Sequence, residues 1–139
     1  MLKLRLVHVV ALARALLLSL GVFRMRQLSH EKLEVYQKSI KFLALSTRLI
    51  ESIPRGNLTI VDQLKRASIS IVLNIAEGAG HPYEAKRRNH YAIARGSALE
   101  CGAALDTCKI LKIGEGNFVP EGKDLLIEVV SMLSKMCRR

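Results

Sequence analysis

Gln63 to Gly80 reads QLKRASISIVLNIAEGAG, and the reading of this stretch decides the fold. Ile60, Leu64, Ile71 and Ile75 recur at the spacing of one helical face, while Ile69, Val72 and Leu73 fall away from it. A helix apolar beyond a single stripe is expected to have several neighbours. Arg66, Ser70, Asn74 and Glu77 interrupt the apolar residues at steps of four, four and three, which aligns them along one side. Gly78 and Gly80 are residues suited to a left-handed turn that closes such a helix. The expectation is a central, largely enclosed helix carrying one polar stripe.

Working outward, the 139 residues suffice for one domain with a real core. Half of the residues are hydrophobic, yet the aromatics are only Phe23, Tyr36, Phe42, Tyr83, Tyr91 and Phe118. Cores of Leu, Ile, Val and Ala suit helix bundles. Helix A is expected from about Ser29, its N-cap, to Ile53, with Leu33, Tyr36, Ile40, Leu43, Ile50 and Ile53 at helical spacing. Pro54-Arg55-Gly56-Asn57 stops it. Helix B starts near Thr59, where Thr59 and Asp62 fit a Ser/Thr-x-x-acid start, and ends near Glu77. Helix C opens at His81-Pro82 and runs to about Leu111. Gly96 and Gly102 inside it cost about 1 kcal/mol each relative to Ala, so close approach of another helix is expected there. After the turn Gly114 to Asn117, helix D begins near Pro120 and carries Leu125, Leu126, Val129, Met132, Leu133 and Met136. Four helices with short loops give an all-α, antiparallel up-down-up-down four-helix bundle.

Residues 1–24 stand apart from this pattern. Lys3 and Arg5 precede an apolar run, but Arg14 splits it and no A-x-A-like cleavage site precedes Met25. Ala15 to Phe23 falls short of the about 20 residues that a membrane-spanning helix needs. Three readings are open: an extension upstream of a start at Met25, which is preferred, a basic amphipathic helix lying on a membrane or partner, or a cleaved signal. Residues 25–139 then form the bundle domain.

The formal charge is +10. The first thirty residues hold five of the 22 basic residues and no acid, leaving 17 against 12, or +5, over residues 31–139. That excess is compatible with a polyanion without requiring one. Cys101, Cys108 and Cys137 form no CxxC pair, and the odd count argues against a disulfide framework, so reduced thiols in a cytoplasm are expected.

LEVYQKSIKF (33–42), QLKRASISIVLNIAEGAG (63–80) and YAIARGSALE (91–100), in that order, resemble the four-helix-bundle proteins encoded in intervening sequences of bacterial 23S ribosomal RNA genes. That group is similar to the accessory variability proteins of diversity-generating retroelements. The resemblance covers about residues 31–137. It implies a ring-shaped homopentamer, a nucleic-acid-binding role through a basic surface and no established enzymatic activity; in the retroelement relatives the pentamer partners a reverse transcriptase. By position, the signature residues are Gln63, Arg66, Ser70, Asn74, Glu77 and Gly78, with Arg95, Gly96, Ser97 and Glu100. His81 stands where many relatives have Arg after the glycine, which weakens phosphate binding at that turn.

Two constellations carry the chemistry. In the polar stripe, Glu77 and Glu100 supply carboxylates without a matching His or Cys, so no nucleophile–base–orienter set is evident. A structural network is the preferred reading, with an Arg95–Glu77 ion pair setting the register of helices B and C. The second is Lys86-Arg87-Arg88, three cations at the positive end of helix C's dipole, where stability alone would place acids. With Lys65 they are the candidate phosphate contacts, against the alternative of a solvated basic face. The four His lack metal spacing, and no HExxH, GxxxxGK[ST] or GxGxxG is present, so no metal or cofactor is expected. The expected function is a non-enzymatic, homo-oligomeric bundle that binds structured RNA or DNA. The alternative is a protein-interaction scaffold, for example an accessory subunit of a reverse transcriptase.

Overall fold

The computed structural model describes residues 8–13, 15–16, 26–114 and 116–138. Within them lie a 3₁₀ turn, Ser29–Lys32, and four long helices: α1 (Glu34–Ser52), α2 (Leu58–Gly80), α3 (Glu84–Leu111) and α4 (Phe118–Met136). No strand occurs among the described residues. Each helix packs on its neighbour in sequence, and α4 closes the circuit against α1, while the diagonal pairs keep their backbones apart. Cross-helix contacts fix the directions. Ser70 faces Ser97 and Asn74 faces His90, so α2 and α3 are antiparallel. Lys123–Asp106 and Arg95–Ser134 establish the same for α3 and α4, and Lys38–Glu128 together with Gly122 against Leu45 does so for α1 and α4. The architecture is an antiparallel helical bundle.

The core runs down the middle: Phe42 and Leu49 from α1, Leu64, Ile71 and Ile75 from α2, Ala98, Cys101 and Leu105 from α3, Val129 and Leu133 from α4. The core face of α1 overlaps the expected one in part: Leu33, Tyr36, Ile50 and Ile53 pack against the core, but its fully buried residues are others. Val35, Phe42, Leu45 and Leu49 are buried, whereas Ile40 is exposed and Leu43 and Ile50 are half-buried. Ser39 and Ser46 share the buried face and disguise it. Their hydroxyls donate to the carbonyls of Val35 (2.7 Å) and Leu43 (2.9 Å), so each enters the core already satisfied by its own helix.

The start of helix A also differs. Leu33 is extended (φ −76°, ψ 126°), so Ser29 belongs to a separate turn rather than capping α1. That break seats Leu33 against the core and lays the turn across the end of the bundle next to α2. The Gln37 side-chain amide donates to the Glu31 carbonyl (3.0 Å), and His30 meets the Tyr36 ring edge-on, which pins the turn. Thr59 is likewise already helical, since α2 begins at Leu58 behind Asn57.

The glycines sort differently from expectation. Gly78 and Gly80 lie inside α2 and neither is left-handed; among described glycines only Gly56 and Gly114 have positive φ. Pro82 ends the helix instead, by holding His81, the residue before it, in the extended region (φ −81°, ψ 130°). Helix α3 accordingly starts at Glu84, two residues beyond the proline. Gly96 and Gly102 do not mark close helix contact within one chain. A Cβ at Gly96 would meet nothing within 4 Å, and one at Gly102 only the Lys123 amine at 3.9 Å. The tight points are elsewhere. A Cβ at Gly122 would stand 2.9 Å from Leu105 Cδ1, and one at Gly78 2.7 Å from Tyr91 Cε1.

The proposed division at residue 25 falls largely outside the described residues. Residues 8–13 are helical, with Val9, Val10 and Leu12 exposed. Among the described residues, no helix is long and apolar enough to cross a membrane.

Candidate nucleic-acid interface

The polar stripe assembles in part, and around a residue the sequence pattern did not place in it. Asn74 Nδ2 donates to the Ser70 carbonyl (2.9 Å) and to Ser70 Oγ (3.2 Å). Ser70 and Ser97 hydroxyls meet at 2.8 Å across the α2–α3 seam. Because the Asn74 amide nitrogen is spent on α2, its Oδ1 is left as an acceptor, and His90 Nδ1 lies 3.1 Å from it. The proton therefore sits on Nδ1, which also points to the Glu77 carboxylate at 3.3 Å. His90 thus joins Asn74 and Glu77, although it lies in the N-terminal part of α3 beside the basic cluster.

The expected Arg95–Glu77 pair is not made. Arg95 turns to α4 and donates from Nε to Ser134 Oγ (2.8 Å), while Glu77 is exposed and engages His90. The i,i+4 geometry of α2 brings Arg66 to Asp62 instead, at 3.5 Å in an exposed pair. Such pairs contribute little. Ser97 and Gly78 are buried, Ser70, Asn74 and Arg95 are half-buried, and Gln63, Arg66, Glu77, Gly96 and Glu100 are exposed. In one chain, the signature is therefore half seam and half surface.

Lys86, Arg87 and Arg88 are exposed on the opening turns of α3, and Arg88 pairs with Glu84 at 3.5 Å. Lys65 is exposed on α2. Since Tyr91 lies against Gly78, Lys65 sits thirteen residues back along α2, roughly 20 Å from the cluster at about 1.5 Å per residue. The structure does not bring Lys65 together with the other three.

What it does bring to them is the end of α4 and the 3₁₀ turn. A cavity at this end is lined by Ser29, Leu33, Ala79, Glu84, Arg87, Arg88, Tyr91 and Met136. Lys32 adjoins it on the turn, and Lys135 and Arg138 flank Met136. Lys32, Lys86, Arg87, Arg88, Lys135 and Arg138 consequently share one end of the bundle. Lys32, Lys135 and Arg138 could not be assigned to the cluster from spacing, because only the antiparallel closure of α4 and the folded-over turn bring them there.

Two of the three thiols, Cys101 and Cys108, offer little reactivity. Cys101 and Cys108 are buried and all three cysteines are free. Burial, with a contribution from the Glu100 carboxylate, pushes the Cys101 thiol up to about 12, and burial raises Cys108 as well. Among the described residues, no group of three or more His, Cys, Asp or Glu is arranged to hold a metal ion.

The model of the 23S rRNA-intervening sequence protein family matches residues 31–135, three quarters of the chain. The chain belongs to that family. The match spans the 3₁₀ turn from Glu31 and all four long helices, almost to the end of α4. A solved structure shares its fold: a protein of unknown function from the S23 ribosomal protein family of Bacteroides thetaiotaomicron. It is 20% identical, with a TM-score of 0.69, and the alignment covers 76% of this chain and 99% of that one. No curated protein matches the chain.

Proposed function

We propose that this protein is a non-enzymatic, homo-oligomeric helical bundle of the cytoplasm that binds structured RNA or DNA through its basic surface. The carrying observation is the gathering of Lys32, Lys86, Arg87, Arg88, Lys135 and Arg138 at one end of the bundle, with Glu84 paired to Arg88. Cations crowded at the positive end of α3's dipole repel one another and the helix terminus. Phosphates relieve both costs. The recognition is of charge and shape, because no row of exposed aromatics among the described residues offers a stacking platform.

Two apolar outer faces support assembly. Ile69 and Leu73 of α2 and Ile93 of α3 are exposed around one seam, the last of these close in sequence to the bare backbone of Gly96. Leu99 of α3 and Ile127 of α4 flank a groove on another face, lined also by Gly102, Ala103 and Val130. Two different sticky faces on one subunit fit head-to-tail association, which closes into a ring. The number five comes from the family resemblance, and a fivefold ring would repeat the basic end into a belt with gains from avidity.

The test is binding of a structured RNA to the intact protein between about 50 and 200 mM salt. Six to ten phosphate contacts lower affinity by about 10³ to 10⁵ over that range; a flat titration rejects the reading. The exposed faces also favour a second reading, a scaffold for another polypeptide such as a reverse transcriptase. A co-purifying partner that survives nuclease and high salt would establish it.

A further inference from the structure

The cavity at the basic end has features that a general phosphate-binding surface does not need. It measures about 380 Å³ and lies between the 3₁₀ turn, the last turn of α2, the first turns of α3 and the end of α4. That volume lies in the range of small-ligand sites. Its lining is part apolar, from Leu33, Ala79 and Met136, and part polar, from Ser29, Glu84, Arg87, Arg88 and Tyr91.

Tyr91 is the decisive residue. It is only 8% exposed, its ring is pressed against the Gly78 backbone, and its hydroxyl makes no hydrogen bond to another described residue. No side-chain oxygen among the described residues is both fully sealed and unpartnered, so the phenol oxygen opens onto the cavity it lines. Burial raises the Tyr91 pKa and the charge of Arg87 lowers it, so the phenol stays a donor with a cation close enough to act on it. Arg87 has no carboxylate partner among the described residues, and Glu84, which also lines the cavity, is held by Arg88. The Tyr91 hydroxyl, a guanidinium without a carboxylate partner among the described residues and the start of a 28-residue helix therefore border one space that also has apolar lining.

We propose that this cavity binds a single nucleoside monophosphate unit, its phosphate on Arg87 and the Tyr91 hydroxyl and its base against Leu33 and Met136. The unit comes either as a free nucleotide or as the 5′-phosphorylated end of a nucleic-acid chain. A terminal monoester carries more charge than an internal diester and reaches an end cavity without threading the chain through it. The chain-end form rests on the nucleic-acid reading above; the free-nucleotide form stands without it.

The experiment uses the full chain and two sets of probes: AMP beside adenosine, and one RNA decamer with a 5′-phosphate beside the same decamer with a 5′-hydroxyl. AMP is expected to bind about tenfold more tightly than adenosine, as a charge-assisted contact requires. Tyr91→Phe keeps the ring on Gly78 and should retain the parent melting temperature while losing most of that preference; Arg87→Gln should lose it too. A preference for the phosphorylated decamer that disappears in both variants assigns the chain end. AMP binding with two equal decamers assigns the free nucleotide. AMP no better than adenosine, or Tyr91→Phe binding AMP like the parent, overturns the proposal. Decamers that bind equally without any AMP binding sink the pocket and leave the surface reading standing; AMP binding without decamer binding does the reverse.

Discussion

At the residue scale, glycines show most clearly how chemistry and position separate. Gly78 is buried because the Tyr91 ring occupies the space a side chain would take, at 2.7 Å from the would-be Cβ. The obstacle is an aromatic ring wedged in the core, which cannot swing away as a lysine could. Gly78→Ala should therefore destabilise the fold by about 1–3 kcal/mol. Gly96 has open space around it and ordinary helical geometry, so Gly96→Ala should stabilise an isolated subunit by about 0.5–1 kcal/mol. Urea unfolding of the two variants checks both signs. The same Gly96→Ala change should weaken self-association if another subunit approaches there, which sedimentation measures. Both glycines look alike in the sequence, because a clash depends on what another helix brings opposite.

At the scale of the element, periodicity locates the helices well and their faces unevenly. α4 is fully legible: Leu126, Val129 and Leu133 are buried, with Leu125, Met132 and Met136 packed beside them. α1 is not, because Ser39 and Ser46 sit where a hydrophobic pattern expects apolar residues. α2 shows the reverse error. Its apolar content beyond one stripe predicts enclosure, yet Ile69 and Leu73 face outward in a single chain. Composition does not say which apolar residues of a helix its own chain covers, and the proposed self-association would cover these two. The seam between α2 and α3 rests on Asn74, which serves Ser70 on its own helix and His90 on the next. Removing it leaves Ser70 only Ser97, and His90 only the exposed Glu77, and breaks the link between the two pairs in a half-buried place. Asn74→Ala should cost about 1–3 kcal/mol, while Gln63→Ala, on the exposed side of the same signature, should stay within about 0.5 kcal/mol. Thermal unfolding of the pair distinguishes a structural Asn74 from a purely surface one.

Across the whole molecule, the basic end is only half visible from sequence. Lys86-Arg87-Arg88 is contiguous and therefore conspicuous, while Lys32, Lys135 and Arg138 reach it through a turn and an antiparallel return. The Tyr91 cavity leaves no sequence signal, since a tyrosine on the core face of a helix reads as packing. At the far end, Lys109 and Lys112 make a second basic group, around the close of α3. The two ends provide an internal control. Neutralising Lys86, Arg87 and Arg88 to Gln should lower RNA affinity and flatten the slope of log affinity against log salt, by about 0.7–0.9 for each phosphate left without its cation. Neutralising Lys109 and Lys112 should leave that slope near the parent value. If both sets of variants bind more weakly in simple proportion to the charge removed, or both bind like the parent, the basic end of the bundle is not the interface.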